Sequence, residues 1–194
     1  MKRIIAALLA LMLLSAGCMA EEEMSVLDQA KNIISAVNFI VKDNTGIEQL
    51  FVGYEEIVQD EILGFYTEDN SIQALLVANT DENNIDSCSF ICDAPEILPL
   101  ALNCASLLPF AQMIVYGEED TVDAIREDMI AMAEWLDENH LDAMEAFEND
   151  SIFTASYLDS EFFHLDLMIV PTDEDSRMMA VYYFGAAEAE ETAE

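Results

Sequence analysis

The chain has 194 residues, with 40 acidic side chains against six Lys and Arg, and a formal net charge of −34 at pH 7. A surface of this sign repels nucleic acids and anionic lipid headgroups, which are polyanions, and attracts cations and basic peptides. Disordered chains also carry high net charge, but here 53% of the residues are hydrophobic, with ten Phe, six Tyr and eleven Met. That content predicts one folded domain with a substantial core.

The first twenty residues, MKRIIAALLALMLLSAGCMA, have the three parts of a secretory signal peptide. Lys2 and Arg3 form the positive start, residues 4–14 form an apolar stretch too short to span a bilayer as a helix, and small residues follow. Cleavage is expected before Cys18 or after Ala20. Loss of this segment removes two cations and no acid, so the formal charge changes from −34 to −36.

The run Leu14-Ser15-Ala16-Gly17-Cys18 resembles the lipobox of bacterial lipoproteins. In that family the leader is cleaved before the cysteine and the thiol is diacylglycerylated, so the resemblance implies a lipid anchor at Cys18. Ser15 departs from the pattern, because an aliphatic residue is usual three positions before the cysteine. Both alternatives, a lipid-anchored protein at the cell membrane and a secreted protein, predict an extracytoplasmic location.

The first half of the mature chain predicts one helix and four strands. Residues 24–42 form the helix, with Ser25 and Asp28 resembling a capping box at its start. The nearly all-apolar run at residues 72–77 indicates a central strand. The apolar seam of the helix consists of Leu27, Ala30, Ile34, Val37 and Val41, and the strands are predicted at residues 47–53, 61–67, 72–79 and 86–92.

Residues 97–116 contain no charge, which raises the question of a membrane span. Their length fits a span, but Pro99 and Pro109 interrupt the run and the flanks carry no Lys or Arg. The predicted structure is a buried helix between the two prolines and then a buried strand at residues 110–116, whose β-branched residues favour extended backbone. We therefore expect core structure here and no transmembrane helix in the mature chain.

Residues 119–150 give the strongest helical pattern, with an apolar seam from Val122 to Leu136 and Asp120 as N-cap. The seam then changes phase. Either a separate helix capped by Asn139 or one kinked helix carries the second stripe of Leu141, Met144 and Phe147.

The chain ends with strands predicted at residues 152–158, 162–170 and 177–184, and with a disordered acidic tail at residues 185–194. Together these elements predict a single α+β domain over residues 21–184, a mainly antiparallel sheet with several packed helices. LLVANTDEN at residues 75–83 is similar to LMIVPTDED at residues 167–175, which suggests a weak internal half-repeat. The element order is similar to that of acidic secretion chaperones, although the C-terminal strands depart from it.

Three cysteines remain if Cys18 is lipidated. Cys88 and Cys92 would lie about 13 Å apart along one strand, too far for a disulfide. Cys92 and Cys104 are therefore the disulfide candidates, and buried thiols that act as small hydrophobic groups are the alternative.

His164 and Asp166 are the candidate catalytic residues, because residues two apart on a strand share one face. A His–Asp pair can be part of a hydrolytic relay. The chain has no G-x-S-x-G or S-x-x-K sequence to supply a recognisable nucleophile.

Acidic clusters could bind Ca²⁺ weakly, although no EF-hand loop is present. The alternative is a solvated acidic face. The candidate metal ligands are Asp81, Glu82, Glu118, Glu119, Asp120, Asp173, Glu174 and Asp175.

The function predicted first is an exported, very acidic envelope protein that acts as a non-enzymatic binding or interaction module. Its partner would be another protein or a cationic ligand, and not nucleic acid. The first alternative is low-affinity binding of divalent cations, with Ca²⁺ as a weakly bound cofactor; no other cofactor is expected. The second alternative is a hydrolase that uses His164 and Asp166.

Overall fold

A computed structural model of the chain describes residues 24–58, 61–116, 121–171 and 176–185. The predicted leader, Cys18 and the acidic tail beyond residue 185 lie outside these ranges. The α+β fold class is confirmed, since the helices accompany one seven-stranded antiparallel sheet. The elements are α1 (Val26–Thr45), β1 (Phe51–Val58), β2 (Ile62–Thr67), β3 (Ile72–Asn79), β4 (Asn84–Cys92), α2 (Leu98–Ser106), α3 (Leu108–Tyr116), α4 (Val122–Glu148), β5 (Phe153–Tyr157), β6 (His164–Pro171) and β7 (Ser176–Tyr183).

The sheet has the strand order β1-β2-β3-β4-β7-β6-β5, and every neighbouring pair is antiparallel. Strands β1 to β4 form one meander and strands β5 to β7 form a second. The helices α2, α3 and α4 connect the two meanders. As a result β4 and β7, the last strand of each meander, lie side by side inside the sheet.

The helices pack on one face of this sheet, which we call the helical face. Strand residues that point to it alternate with residues that point away, as the pleat requires. The core contains the helical-face side chains Leu63, Phe65, Ala74, Leu76, Cys88, Phe90, Leu165, Leu167, Ile169, Met178, Ala180 and Tyr182, together with the buried side chains of all four helices.

The predicted helix at residues 24–42 is confirmed as α1, which lies two to three residues later, at Val26–Thr45. The Ser25 hydroxyl accepts a hydrogen bond from the Asp28 backbone N–H at 3.2 Å and donates one to the Asp28 carboxylate at 2.8 Å. At the other end Gly46 has φ +78°, a left-handed conformation that glycine adopts without strain, and its N–H bonds the Lys42 carbonyl. The capping chemistry read from the sequence therefore defines the ends of this helix.

The prediction of a strand at residues 110–116 is wrong, because these residues belong to helix α3. Pro109 is the second residue of α3, in the first turn, where a missing N–H costs nothing. It thus ends α2 and also begins the next helix, with only Leu107 between them. Packing against the core overrides the extended preference of the β-branched residues.

Leu98–Tyr116 is, by length and composition alone, apolar enough to cross a membrane, with a mean hydropathy of 1.6. Of its most apolar window, 61% is buried inside the fold. The stretch contributes Leu98, Leu102, Leu108 and Phe110 to the core beneath the sheet.

Helix α4 is a single helix rather than two. Ile125, Met132 and Leu136 of the predicted seam are buried, but Leu141 is 64% exposed. The face that continues from Leu136 passes through Ala143 and Phe147, at steps of seven and four residues. The predicted N-cap Asp120 lies outside the described residues, and the residue before the helix is Thr121.

Strand β1 lies later in the sequence than its predicted range of 47–53. The Asn38 side chain on α1 holds the chain just before and at the start of the strand, since its Oδ1 accepts from the N–H groups of Leu50 and Phe51 at 3.1 and 2.8 Å. Its Nδ2 donates to the Phe51 carbonyl at 3.1 Å. Residues before Leu50 are thereby kept out of the sheet.

The suggested half-repeat matches the strand topology, but the two similar sequence segments do not align in the structure. Strands β2 to β4 and strands β5 to β7 are both three-stranded meanders, and they meet at the β4–β7 pair. The sequence similarity, however, aligns Leu75, which points away from the helices, with Leu167, which points into the core. A shift of one residue reverses the face of a strand, so the two similar segments do not occupy equivalent positions.

Candidate binding surface on the open face of the sheet

The second face of the sheet, here called the open face, carries the side chains that point away from the helices. Residues directly opposite one another on neighbouring strands share a face, so the strand register assigns its members. They are Ile62, Gly64 and Tyr66 on β2; Gln73, Leu75 and Val77 on β3; Ser87, Ser89 and Ile91 on β4; Met179, Val181 and Tyr183 on β7; and His164, Asp166 and Met168 on β6.

Apolar side chains dominate the middle of the open face. Leu75, Ile91 and Met179 all lie outside the core cluster. Val181 is only 6% exposed and is not a member of that cluster, and the register places it on the open face, opposite Ser89 and Asp166. Towards one end of the sheet the surface is freer, with Val77 at 37% and Ile57 at 52% exposure. Among the residues that the structure describes, no helix packs on these side chains.

Two glycines let neighbouring side chains lie flat on this face. A Cβ at Gly53 would stand 2.5 Å from the ring of Tyr66, and a Cβ at Gly64 would stand 2.9 Å from Cδ1 of Ile57. Neither position can accept a side chain without displacing its neighbour. At these two positions the space beside the backbone is therefore filled by the side chains of Tyr66 and Ile57.

The predicted catalytic residues His164 and Asp166 both lie on the open face, opposite Tyr183 and Val181. The His164 ring stacks on the Tyr183 ring, with centroids 4.1 Å apart and planes 10° apart. Its Nδ1 lies 3.1 Å from the carbonyl oxygen of Gly185, which can only accept, so Nδ1 carries the proton in this contact.

Asp166 bonds a hydroxyl rather than the imidazole, since Ser156 Oγ donates to its Oδ1 at 2.6 Å. A hydrolytic relay needs the carboxylate on the histidine and the histidine on the nucleophile. The hydrogen bonds here connect serine directly to carboxylate, and histidine to backbone. Desolvation, and to a smaller extent the nearby Asp166, raise the pKa of the Tyr183 hydroxyl.

Of the candidate metal ligands, only Asp81 and Glu82 are among the described residues. They lie in the turn between β3 and β4, at the rim of an open cleft of about 490 Å³ that Gln29 and Tyr116 also line. No group of three or more His, Cys, Asp or Glu side chains that could hold a metal ion occurs in the described ranges. The remaining candidates, Glu118, Glu119, Asp120, Asp173, Glu174 and Asp175, lie outside those ranges.

Cys88, Cys92 and Cys104 are buried free thiols in this structure, so the bond predicted between Cys92 and Cys104 is not formed in it. Burial raises the pKa of Cys92 and of Cys104 to about 12. Burial also raises the pKa of Cys88, with a smaller contribution from Cys104, whose side chain is therefore nearby. The thiols belong to the core on the helical face and do not reach the open face.

The binding surface itself was not predicted from the sequence. The signal that could have indicated it is the run at residues 72–77, because apolar residues at both odd and even positions imply that both faces of β3 need cover. Helices cover only one of these faces in the described residues.

No family model, no curated protein and no solved structure matches this chain.

Proposed function

We propose that this protein is an exported, very acidic, non-enzymatic binding module that engages its partner through the open face of the sheet. One observation carries the proposal. Strands β2, β3, β4 and β7 present apolar side chains on a face that the described helices leave uncovered, while a complete core exists on the opposite face. Contiguous apolar surface of this kind is typical of interaction sites.

The hydrogen bonding on the open face supports binding rather than hydrolysis. His164 is held by Gly185 and Tyr183, and Asp166 is held by Ser156. These contacts fix the polar side chains in place at the side of the apolar surface. Fixed polar groups beside an apolar centre orient a partner and give specificity.

Site-directed photo-crosslinking in the exporting cells tests the proposal. A benzophenone side chain would replace Val77 on the open face or, as a control, the 54% exposed Ile130 on α4. We expect a discrete crosslinked species from position 77, lost when Leu75→Glu places a charge on the same face, and no such species from position 130. Identical crosslinking patterns at the two positions, or no discrete species from position 77, would contradict the proposed surface.

A further inference from the structure

The open face has an apolar centre with a carboxylate on each side. One row of directly opposed residues crosses six strands from Glu55 on β1 to Asp166 on β6. Between these two acids the row contains no charge; its members are Gly64, Leu75, Ser89 and Val181. With about 4.8 Å between strands, the acids stand about 24 Å apart.

Among the described residues, no Lys or Arg belongs to the open face between these acids. Lys31 lies on α1, with its Nζ 5.0 Å from the centre of the Tyr54 ring on β1. Lys42 of α1 pairs with Glu48, and Arg126 of α4 pairs with Asp123. Arg177, near the start of β7, forms an ion pair with Asp93 at 3.0 Å. The field at the open face is therefore negative, as it is for the chain as a whole.

Asp166 is suited to receive a cation from a partner. Ser156 donates to its Oδ1, and no second hydrogen bond to this carboxylate is formed within the described ranges. The half-buried position beside the Tyr183 ring offers an ammonium or guanidinium group both a charge and an aromatic neighbour.

From this arrangement we propose that the open face is the docking surface for a cationic amphipathic helix of another protein. The apolar side of that helix would lie on Leu75 and Val77, and Lys or Arg side chains near its ends would pair with Asp166 and Glu55. A helix of about 16 residues spans the 24 Å between the acids.

Charge complementarity selects this occupant over the others that an apolar sheet face could accept. A second copy of the chain would bring another large negative charge and the same two carboxylates. An anionic membrane would be repelled for the same reason. A basic helix is attracted to the negative open face at separations within the Debye length, which is about 8 Å at physiological salt.

Peptide binding measured by fluorescence anisotropy at about 0.15 M salt tests this inference, which rests on the proposed function. The probe is a labelled 18-residue Leu/Lys helix with one apolar side, compared with a scrambled peptide of equal composition. We expect the double variant Asp166→Asn/Glu55→Gln to weaken binding at least tenfold. The matched variant Asp142→Asn/Glu138→Gln on α4 removes the same charge, and we expect a change of less than twofold.

Equal losses in the two double variants, equal affinity for the scrambled peptide, or no binding of the probe would each overturn the inference. If Asp166→Asn alone disturbs folding, Glu55→Gln at the exposed edge gives the same comparison with Glu138→Gln. Failure here together with discrete crosslinks from position 77 would leave the proposed function in place with a partner of different chemistry. Failure of both experiments would remove both proposals.

Discussion

At the scale of single residues, a few polar side chains define how the chain enters and leaves its elements. Ser25 caps α1, and Asn38 binds the backbone at the start of β1. Inside the core, Tyr182 donates its hydroxyl proton to Gln112, so that two buried polar groups satisfy each other. The cap of α1 could be predicted from local sequence. The bonds of Asn38 and of Gln112 could not, because each joins residues that only the folded chain brings together.

Because of the buried cysteines, the free energy of unfolding should depend on pH in the alkaline range. An unfolded thiol ionises near its ordinary pKa of 9, whereas Cys92 and Cys104 hold their protons up to about 12. The folded state therefore binds more protons between these values, and the free energy of unfolding should fall as pH rises from 9 towards 12. Chemical unfolding at pH 7, 9 and 10.5 checks this, with the triple variant Cys88→Ala/Cys92→Ala/Cys104→Ala expected to lose that part of the pH dependence.

Thiol counting on the same protein settles the state of the cysteines. The protein without residues 1–20 should show three reactive thiols in denaturant and almost none in the native state at pH 8, since buried, protonated thiols are poor nucleophiles. One reactive thiol in denaturant without reductant would instead show that two of the three cysteines form a disulfide, and peptide mapping would then test the predicted pair Cys92 and Cys104.

At the scale of elements, the spacing of apolar residues predicted those helices and strands whose ends are determined by nearby sequence. It identified α1, α4 and strands β2 to β7 to within three residues at their ends. It failed at residues 110–116, where Pro109 not only ends one helix but also begins the next, and at β1, whose start depends on Asn38. Periodicity also indicated that both faces of β3 are apolar, but not which of them the helices would cover.

The exposed edge strand β1 should resist pairing with other chains because of its two adjacent acids. Val52, Tyr54 and Ile57 are exposed, but Glu55 and Glu56 lie between them, one on each face. Charged residues on an edge oppose strand-to-strand association. We expect Glu55→Gln/Glu56→Gln to increase self-association in sedimentation velocity runs, while Glu134→Gln/Glu138→Gln on α4 leaves the protein monomer fraction unchanged. Equal behaviour of the two variants would show that total charge alone matters.

At the scale of the whole molecule, the charge of −36 expected after loss of the leader acts as a diffuse field. The proposed binding function uses this field and the open face, and it involves no metal. We therefore expect CaCl₂ and NaCl at equal ionic strength to raise the melting temperature by similar amounts, because both screen the same repulsion. A much larger, saturable rise with Ca²⁺ would indicate specific sites, since a ligand stabilises the state it binds.

The central claim is that the open face is free in the folded protein, and methionine oxidation tests it most directly. Met178 and Met179 are adjacent in β7, but Met178 is completely buried in the core and Met179 lies on the open face. Met168 on the open face and the buried Met132 form a second comparison. After a short exposure of the native protein to peroxide, peptide mass spectrometry should find Met168 and Met179 oxidised and Met132 and Met178 intact. Equal protection of Met179 and Met178 would contradict the account, because another part of the chain or a second molecule would then cover the open face.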